Sequence, residues 1–342
     1  MISEENNTPS PDFGGDYTIY LSEEAQESLA AYVCSVCGGE MAPETDSSDW
    51  LVCSVCGKRK QVNFYDIGIG DELCGAKVLR TLGGGASGTL FLCEYPGNDR
   101  CVIKVLRKES LQDPESRRRF ELEAEILSGF DHPGIVKLID FRSEENTLCM
   151  ILEYVDGYNL LQMVSQEFYF SPETALEMLY GLSDIFRYAW EEKHLLHRDI
   201  KPANIMINSD GELKVLDFGL SKQCSTDTGL TSAGQTLGSP GFMSPEQFRD
   251  SRIYDCRSDI FSLGATIYFV LAQGKLPYAG RSPLAAYQNI MTTSPVPLTA
   301  VNKEVPQAFS DLVMSMVDKD INLRPGSWEL LMQKIEEIAN TL

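Results

Sequence analysis

A glycine cluster, Leu82-Gly83-Gly84-Gly85-Ala86-Ser87-Gly88-Thr89-Leu90, lies between two runs of strand-forming residues, Val78-Leu79 and Leu90-Phe91-Leu92. Its G-x-G-x-x-G spacing lets a backbone approach a polyphosphate closely and direct N–H groups at its oxygens. A dinucleotide-binding fold would need a helix opening at the last glycine and an acidic residue about 20 positions on. Here the cluster leads straight into another strand, Val102-Ile103-Lys104-Val105-Leu106. That continuation excludes the doubly wound arrangement and leaves a glycine-rich hairpin. By itself, such a hairpin is equally compatible with an ordinary turn that binds nothing.

The next constraint is a lysine among apolar residues. Lys104 stands in Val-Ile-Lys, 16 residues after Gly88. It is either a strand-edge ammonium reaching water or a point charge for phosphate oxygens. A phosphate-facing lysine needs a carboxylate to hold it. The amphipathic segment 117–129, with Phe120, Ala124 and Leu127 on one face, offers Glu121, Glu123 and Glu125. Farther on, His197-Arg198-Asp199-Ile200-Lys201-Pro202-Ala203-Asn204 and Asp217-Phe218-Gly219 flank the strand candidate Leu213-Lys214-Val215-Leu216. Two carboxylates and an amide form a hard-oxygen set suited to Mg2+, which keeps water and phosphate ligands.

Taken in order, these motifs resemble the eukaryotic-type protein kinase family, and the resemblance spans roughly residues 73–338. The glycine loop, Val-Ile-Lys, a helix Glu, His-Arg-Asp, Asp-Phe-Gly, Ser244-Pro245-Glu246 and the late Arg324 follow one another as in that family. Glu123, four residues before Leu127 and nine before His132-Pro133, takes the place of the helix Glu. Lys201 and Pro202-Ala203-Asn204 are similar to the Ser/Thr class, and especially to bacterial kinases of the Pkn type. The resemblance implies an α+β, bilobal protein-kinase-like fold with a small β-rich lobe and a large helical lobe. It also implies ATP- and Mg2+-dependent transfer of the γ-phosphoryl group to protein Ser/Thr hydroxyls.

Carried over to this chain, Asp199 orients the substrate hydroxyl and accepts its proton, and Lys201 neutralises charge on the transferring group. Asn204 and Asp217 hold Mg2+, and Lys104, held by Glu123, contacts the α- and β-phosphates. Gly83, Gly85 and Gly88 cover the phosphates. Leu82, Leu90 and Val102 close over the adenine, which meets the backbone of Glu153 and Val155 with Leu152 as gatekeeper, while Asn159 faces the ribose. Asp259 supports the catalytic loop, and Glu246 pairs with Arg324. Val102 replaces the family's usual Ala, Ser239 its Thr, and Ser244 the Ala of Ala-Pro-Glu. The alternative reading is a nucleotide-binding pseudokinase or scaffold that signals through its conformation; the intact Asp199, Asn204 and Asp217 weigh against it.

The segment between Asp217 and Glu246 carries six hydroxyls from Ser225 to Thr236. Arg198 is placed to pair with phosphate there, and Thr231 and Thr236 are the expected sites of autophosphorylation.

The N-terminal part has a different character. Cys34-Ser-Val-Cys37 and Cys53-Ser-Val-Cys56 are separated by 15 residues, each pair followed by a glycine. This is tetrathiolate zinc spacing and resembles a zinc ribbon. With four Cys the shell is closed and Zn2+ would be structural. The expected organisation is an acidic, unstructured segment 1–32 containing a short helix at 22–32, a ribbon at 33–65 and the kinase domain at 73–338. The whole chain has 29 Lys and Arg against 50 Asp and Glu, a net charge of −21. Its first 57 residues carry 11 acidic residues and no basic one. That balance argues against nucleic acid and anionic lipid as partners. Protein substrates, and a protein partner docking on the ribbon, are expected instead. The remaining six cysteines have no pairing spacing and read as buried thiols. With no basic, apolar leader and no stretch long enough to span a bilayer, a cytoplasmic location is expected.

Overall fold

The computed structural model describes residues 32–33, 40–44, 47–53, 59–61, 67–85, 88–106, 108–144, 147–218, 240–248, 254–278 and 283–341. The acidic segment expected to be unstructured lies outside them up to residue 31. Tyr32, expected to end a helix, instead opens a strand, β1 (Tyr32–Val33). It pairs with β2 (Glu40–Glu44), followed by β3 (Ser47–Cys53) and β4 (Arg59–Gln61), in an antiparallel sheet of order β1-β2-β3-β4.

The small lobe is a six-stranded antiparallel sheet. Its strands are β5 (Glu72–Leu73), β6 (Ala76–Gly85), β7 (Gly88–Glu94), β8 (Arg100–Val105), β9 (Leu138–Glu144) and β10 (Thr147–Glu153), ordered β5-β6-β7-β8-β10-β9. The glycine cluster is the β6–β7 hairpin, with Gly85 opposite Gly88. Gly88 sits at φ +140°, and a Cβ there would lie 2.3 Å from the Val105 carbonyl oxygen, so the position accepts only glycine without strain.

Strand alternation divides this sheet between two cores. Cys101, Ile103 and Val105 of β8, with Cys149 and Ile151 of β10, enter a small core with Leu73, Val78 and Phe91. Leu148, Met150 and Leu152 of β10 face the opposite way, into the large core shared with α1 (Pro114–Ser128). Lys104 lies between Ile103 and Val105 and therefore points toward that same α1 side. Helix α1 starts three residues before the segment 117–129 expected from the sequence pattern. Asp113 caps it by accepting the Ser116 N–H at 3.0 Å, and Pro114 fills the first turn, where its missing N–H costs nothing.

The large lobe is helical: α2 (Leu160–Ser165), α3 (Pro172–Glu191), α4 (Cys256–Leu271), α5 (Pro283–Thr292), α6 (Gln307–Met316) and α7 (Trp328–Ala339). Helix α4 is buried over nearly its whole length. It tolerates Ser262 and Thr266 because their hydroxyls bond the carbonyls of Ser258 and Ser262, four residues back. A small antiparallel sheet of β11 (Gly157–Asn159), β12 (Ile205–Asn208) and β13 (Leu213–Val215) lies beneath the inter-lobe crossing and carries the loop from Asp199 to Asp217. Among the described residues, no helix is long and apolar enough to cross a membrane.

Candidate active site

The lysine and its carboxylates meet. Lys104 Nζ lies 2.5 Å from Glu123 Oε1 and 3.3 Å from Asp217 Oδ1, although the three residues come from β8, α1 and the end of β13. Lys104 is 3% exposed and Glu123 12%, whereas Asp217 is 44% exposed and opens toward solvent. Burial disfavours the Lys104 ammonium, but the Asp217 and Glu123 carboxylates outweigh it and hold the group charged, well above its ordinary value. Burial raises the Glu123 carboxyl, against the pull of Lys104. Of the three candidate glutamates on α1, Glu123 is the one that reaches Lys104; Glu121 instead pairs with Arg117 on the surface.

A second cluster surrounds Asp199. Lys201 Nζ stands 2.6 Å from Asp199 Oδ2, and Asn204 Nδ2 donates to both the carbonyl and Oδ2 of Asp199, at 2.9 and 3.2 Å. Pro202–Asn204 form one 3-10 turn, which folds Asn204 back over Asp199. The loop is held from below by Asp259, whose two carboxylate oxygens accept the N–H groups of His197 at 2.7 Å and Arg198 at 2.9 Å. Those bonds stabilise Arg198 at φ +62°, a left-handed conformation that a branched chain of this size seldom adopts. Gln247 adds a bond to the Arg198 carbonyl at 3.0 Å.

The His197 imidazole is fully enclosed. Its Nδ1 accepts the Asp199 N–H at 3.2 Å, so its Nε2 carries the proton and donates to the Leu216 carbonyl at 3.0 Å. Burial pushes its pKa down to about 4, against the hydrogen bond to Leu216. Phe218 packs between the His197 ring (centroids 4.7 Å apart) and Phe130 (4.5 Å), just past α1. The position of α1 and the order of the catalytic loop therefore share one aromatic contact.

Around the crossing between lobes, Leu152 is buried, Val102 and Leu90 are half-buried, and Val155 is buried. The Glu153 N–H donates to the Lys137 carbonyl, so any donor to an adenine ring must come from Val155. The Asn159 side chain is committed to capping α2: its Oδ1 accepts the Gln162 N–H at 2.8 Å, and Gln162 returns a bond to the Asn159 N–H. Only its amide NH2 is left for a ribose. Gly83 and Gly88 are buried in the hairpin, while Ala86 and Ser87 lie outside the described residues. So do residues 219–239, and with them Thr231 and Thr236.

Three partners were not visible in the sequence. Lys214 Nζ reaches Glu153 Oε1 at 2.8 Å across 61 residues, and that oxygen also accepts the Lys137 N–H. Phe130 and Gln247 complete the set. No spacing rule connects residues so far apart; alternation along β13, which turns Lys214 away from buried Val215, was the only available hint.

The donor set suits Mg2+. Asn204 spends its amide N–H groups on Asp199, leaving the oxygen as an acceptor, and Asp217 is the exposed carboxylate of the site. Among the described residues no group of three or more His, Cys, Asp or Glu could hold a metal.

Comparison with known proteins places this geometry. Residues 76–335 match the model of the protein kinase domain. The chain is 34% identical over 255 residues to the serine/threonine-protein kinase PrkC of Bacillus subtilis, covering 74% of this chain and 39% of that protein. It is 32% identical to serine/threonine-protein kinase pkn2 of Myxococcus xanthus, covering 73% and 31%. The chain thus spans well under half the length of these curated relatives. The crystal structure of the Mycobacterium tuberculosis PknI kinase domain superposes with a TM-score of 0.60 at 25% identity, covering 80% of this chain and 99% of that one.

Proposed function

This chain belongs to the protein kinase family, and from that premise we propose that it is a serine/threonine protein kinase that transfers the γ-phosphoryl group of ATP to protein hydroxyls. The observation that carries the proposal is the Asp199–Lys201–Asn204 cluster, facing the Lys104–Glu123–Asp217 cluster, with every charged group of the reaction present. Asp199 orients the substrate hydroxyl and takes its proton. Lys201 balances charge as the phosphoryl group passes from donor to acceptor oxygen. Lys104 receives the α- and β-phosphates from a position set by Glu123. Asn204 and Asp217 would hold Mg2+, which supplies neutralisation of the phosphate charge when bound. With a metaphosphate-like transition state the protein works by positioning and electrostatics, so the short contacts above are what catalysis requires. The adenine is bounded by Leu82, Leu90, Val102 and Leu152, with Val155 as hydrogen-bond donor. Radiolabelled ATP transfer to a generic basic protein, compared between wild type and Asp199→Asn, tests this. No transfer above background by wild type would favour the scaffold reading, and equal transfer by both would remove Asp199 from the role of base.

Activation is proposed to follow phosphorylation of Thr231 and Thr236 in trans. Arg198 supports it: the residue is fixed by Asp259 beside Asp199, and its guanidinium lies 5.2 Å from the Tyr254 ring centroid. Mass spectrometry after ATP incubation should find phosphate on one or both threonines. A fully active enzyme without it would exclude the mechanism.

The N-terminal sheet is proposed to be a zinc ribbon that docks a protein partner. Cys34, Cys37 and Cys56 lie outside the described residues, so support comes from the strand register. Val33 pairs with Glu40, Met41 with Cys53, and Val52 with Arg59. The ends of β1 and β3 and the starts of β2 and β4 therefore lie at one end of the sheet, and both cysteine pairs belong to the connections that leave it there. One zinc per purified chain, lost in Cys34→Ser/Cys37→Ser, is the expected result. Zinc-free protein under reducing conditions, with zinc supplied, would rule the ribbon out.

A further inference from the structure

Six cysteines outside the Cys-x2-Cys pairs have no spacing that would couple them, yet the fold gathers four of them in the small core of the N-lobe. Cys93 and Cys101 are directly opposite on β7 and β8. Cys74 and Cys149, 75 residues apart in sequence, meet with their sulfurs 2.9 Å apart. None of the four is disulfide-bonded.

The four thiols differ in reach. Cys93 and Cys101 are fully enclosed, and burial pushes them up to about 12 and about 11 respectively, which keeps them protonated and inert. Cys149 is 1% exposed. Cys74 is half-buried and sits in the two-residue turn between β5 and β6, where Leu73 pairs with Ala76. Both turn residues are left-handed, Cys74 at φ +51° and Gly75 at φ +76°, the conformation of a type I′ hairpin. This turn is held in place from outside. Arg142, opposite Cys149 on β9, donates from Nη1 to the Cys74 carbonyl at 2.8 Å while its Nε engages Asp140. Besides Cys149, the groups whose electrostatics Cys74 influences include Tyr95, Arg142, Cys93 and Cys101.

We propose that Cys74 and Cys149 form a two-electron redox site, in which a peroxide converts the dithiol to a disulfide. The Cys74 sulfur attacks one peroxide oxygen, giving a sulfenic acid and releasing one water. The Cys149 sulfur then attacks Cys74, forming the S–S bond and releasing a second water. Two thiols lose two electrons and two protons, and one hydrogen peroxide becomes two waters. Cys74 is the residue an oxidant reaches first, and Cys149 is the partner already in contact. The sulfurs, 2.9 Å apart, need to approach by less than 1 Å to reach disulfide bonding distance, about 2.05 Å. The bond ties the first turn of the small lobe to β10, the strand that ends at Glu153 and places Met150 opposite Lys104.

The full chain, reduced and then treated with equimolar to tenfold hydrogen peroxide, is alkylated, digested without reductant and analysed by mass spectrometry. The expected product is one cross-linked peptide pair containing Cys74 and Cys149, reversed by dithiothreitol. Oxidation should also raise the thermal midpoint by roughly 5 °C, because the unfolded chain is then closed into a loop. Cys74→Ser and Cys149→Ala, each compared with wild type under reductant to verify folding, should lose both the cross-link and the shift. If Cys149 still alkylates after oxidation and unfolding, the proposal is wrong. It is equally wrong if the cross-link maps to Cys93 and Cys101, or if Cys74 stops at sulfinic acid.

Discussion

The imidazole Nε2 of His197 lies 3.0 Å from the carbonyl oxygen of Leu216, joining the loop that carries Asp199 to the strand end that carries Asp217. Through this bond a residue that touches no substrate sets the distance between the two acidic groups of the site. It works only while the ring is neutral, since Nδ1 must accept the Asp199 N–H.

That requirement predicts a pH dependence. His197 titrates near 4 in the folded chain and near its ordinary 6.5 when unfolded. Between those values the unfolded state binds the extra proton, so the contribution is complete above pH 6.5 and is lost as pH falls toward 4. The loss should amount to about 3 kcal/mol at most. Urea unfolding of wild type and His197→Asn at pH 7.5, 5.5 and 4.5 measures it. Carboxylates contribute to both curves, so the prediction concerns their difference: the two midpoints should converge as pH falls. Parallel curves would show that His197 does not carry this term.

Lys104→Met should cut phosphoryl transfer at least about a hundredfold and also destabilise the protein, because Glu123 is left buried without its cation. Breaking such a pair typically costs about 3–5 kcal/mol. Adding Glu123→Gln should recover much of the stability and none of the activity. Restoration of both would mean that the lysine serves packing alone.

Asp217→Asn should abolish transfer while changing the melting midpoint little, since Asp217 is the exposed member of its cluster. Activity within tenfold of wild type would remove Asp217 from the metal-binding role.

The Glu246–Arg324 pair gives a separate stability test. Arg324 is fully enclosed, bonds Glu246 through both terminal nitrogens at 2.6 and 3.0 Å, and lies over the Phe261 ring. Burial pushes the Glu246 carboxyl up, but the Arg324 bonds prevail and hold it below its ordinary value. Arg324→Met should cost about 3 kcal/mol or more in chemical denaturation, against under about 1 kcal/mol for Arg187→Met, a half-buried residue that pairs with Asp184 and Glu191 of its own helix.

Gly88→Ala should raise the KM for ATP severalfold with little change in the fold, because its Cβ would push into the Val105 carbonyl at the turn over the phosphates. An unchanged KM would mean that the hairpin gives way at no cost to the nucleotide.

Much of this protein was legible before any coordinate. The glycine cluster running into a strand, the alternation around Lys104, and the ordered Asp199, Asn204 and Asp217 are local signals, carried by backbone preference and side-chain periodicity over a few residues. They set the fold class, the two-lobe division and the identity of the charged groups. Helix periodicity left Glu121, Glu123 and Glu125 open, and the resemblance to the protein kinase family singled out Glu123.

The meeting of distant chains was not legible. Lys214 on Glu153, Phe130 on Phe218, Gln247 on Arg198 and Cys74 on Cys149 join residues 49 to 88 positions apart; in the first three only one partner belongs to a recognisable motif, and in the fourth neither does. The cysteines illustrate the difference best: their spacing in sequence gave no reason to couple them, and they read as scattered core thiols. Period-two alternation could say that Cys149 faces away from Met150, but not which turn would lie against it. That was decided by how the sheet β5-β6-β7-β8-β10-β9 closes up in three dimensions, bringing the β5–β6 turn at one edge against β10 and β9 at the other. Local sequence determines which face a side chain takes, because that depends on its own backbone. Which partner it meets there depends on how the faces are stacked, and only tertiary packing sets that.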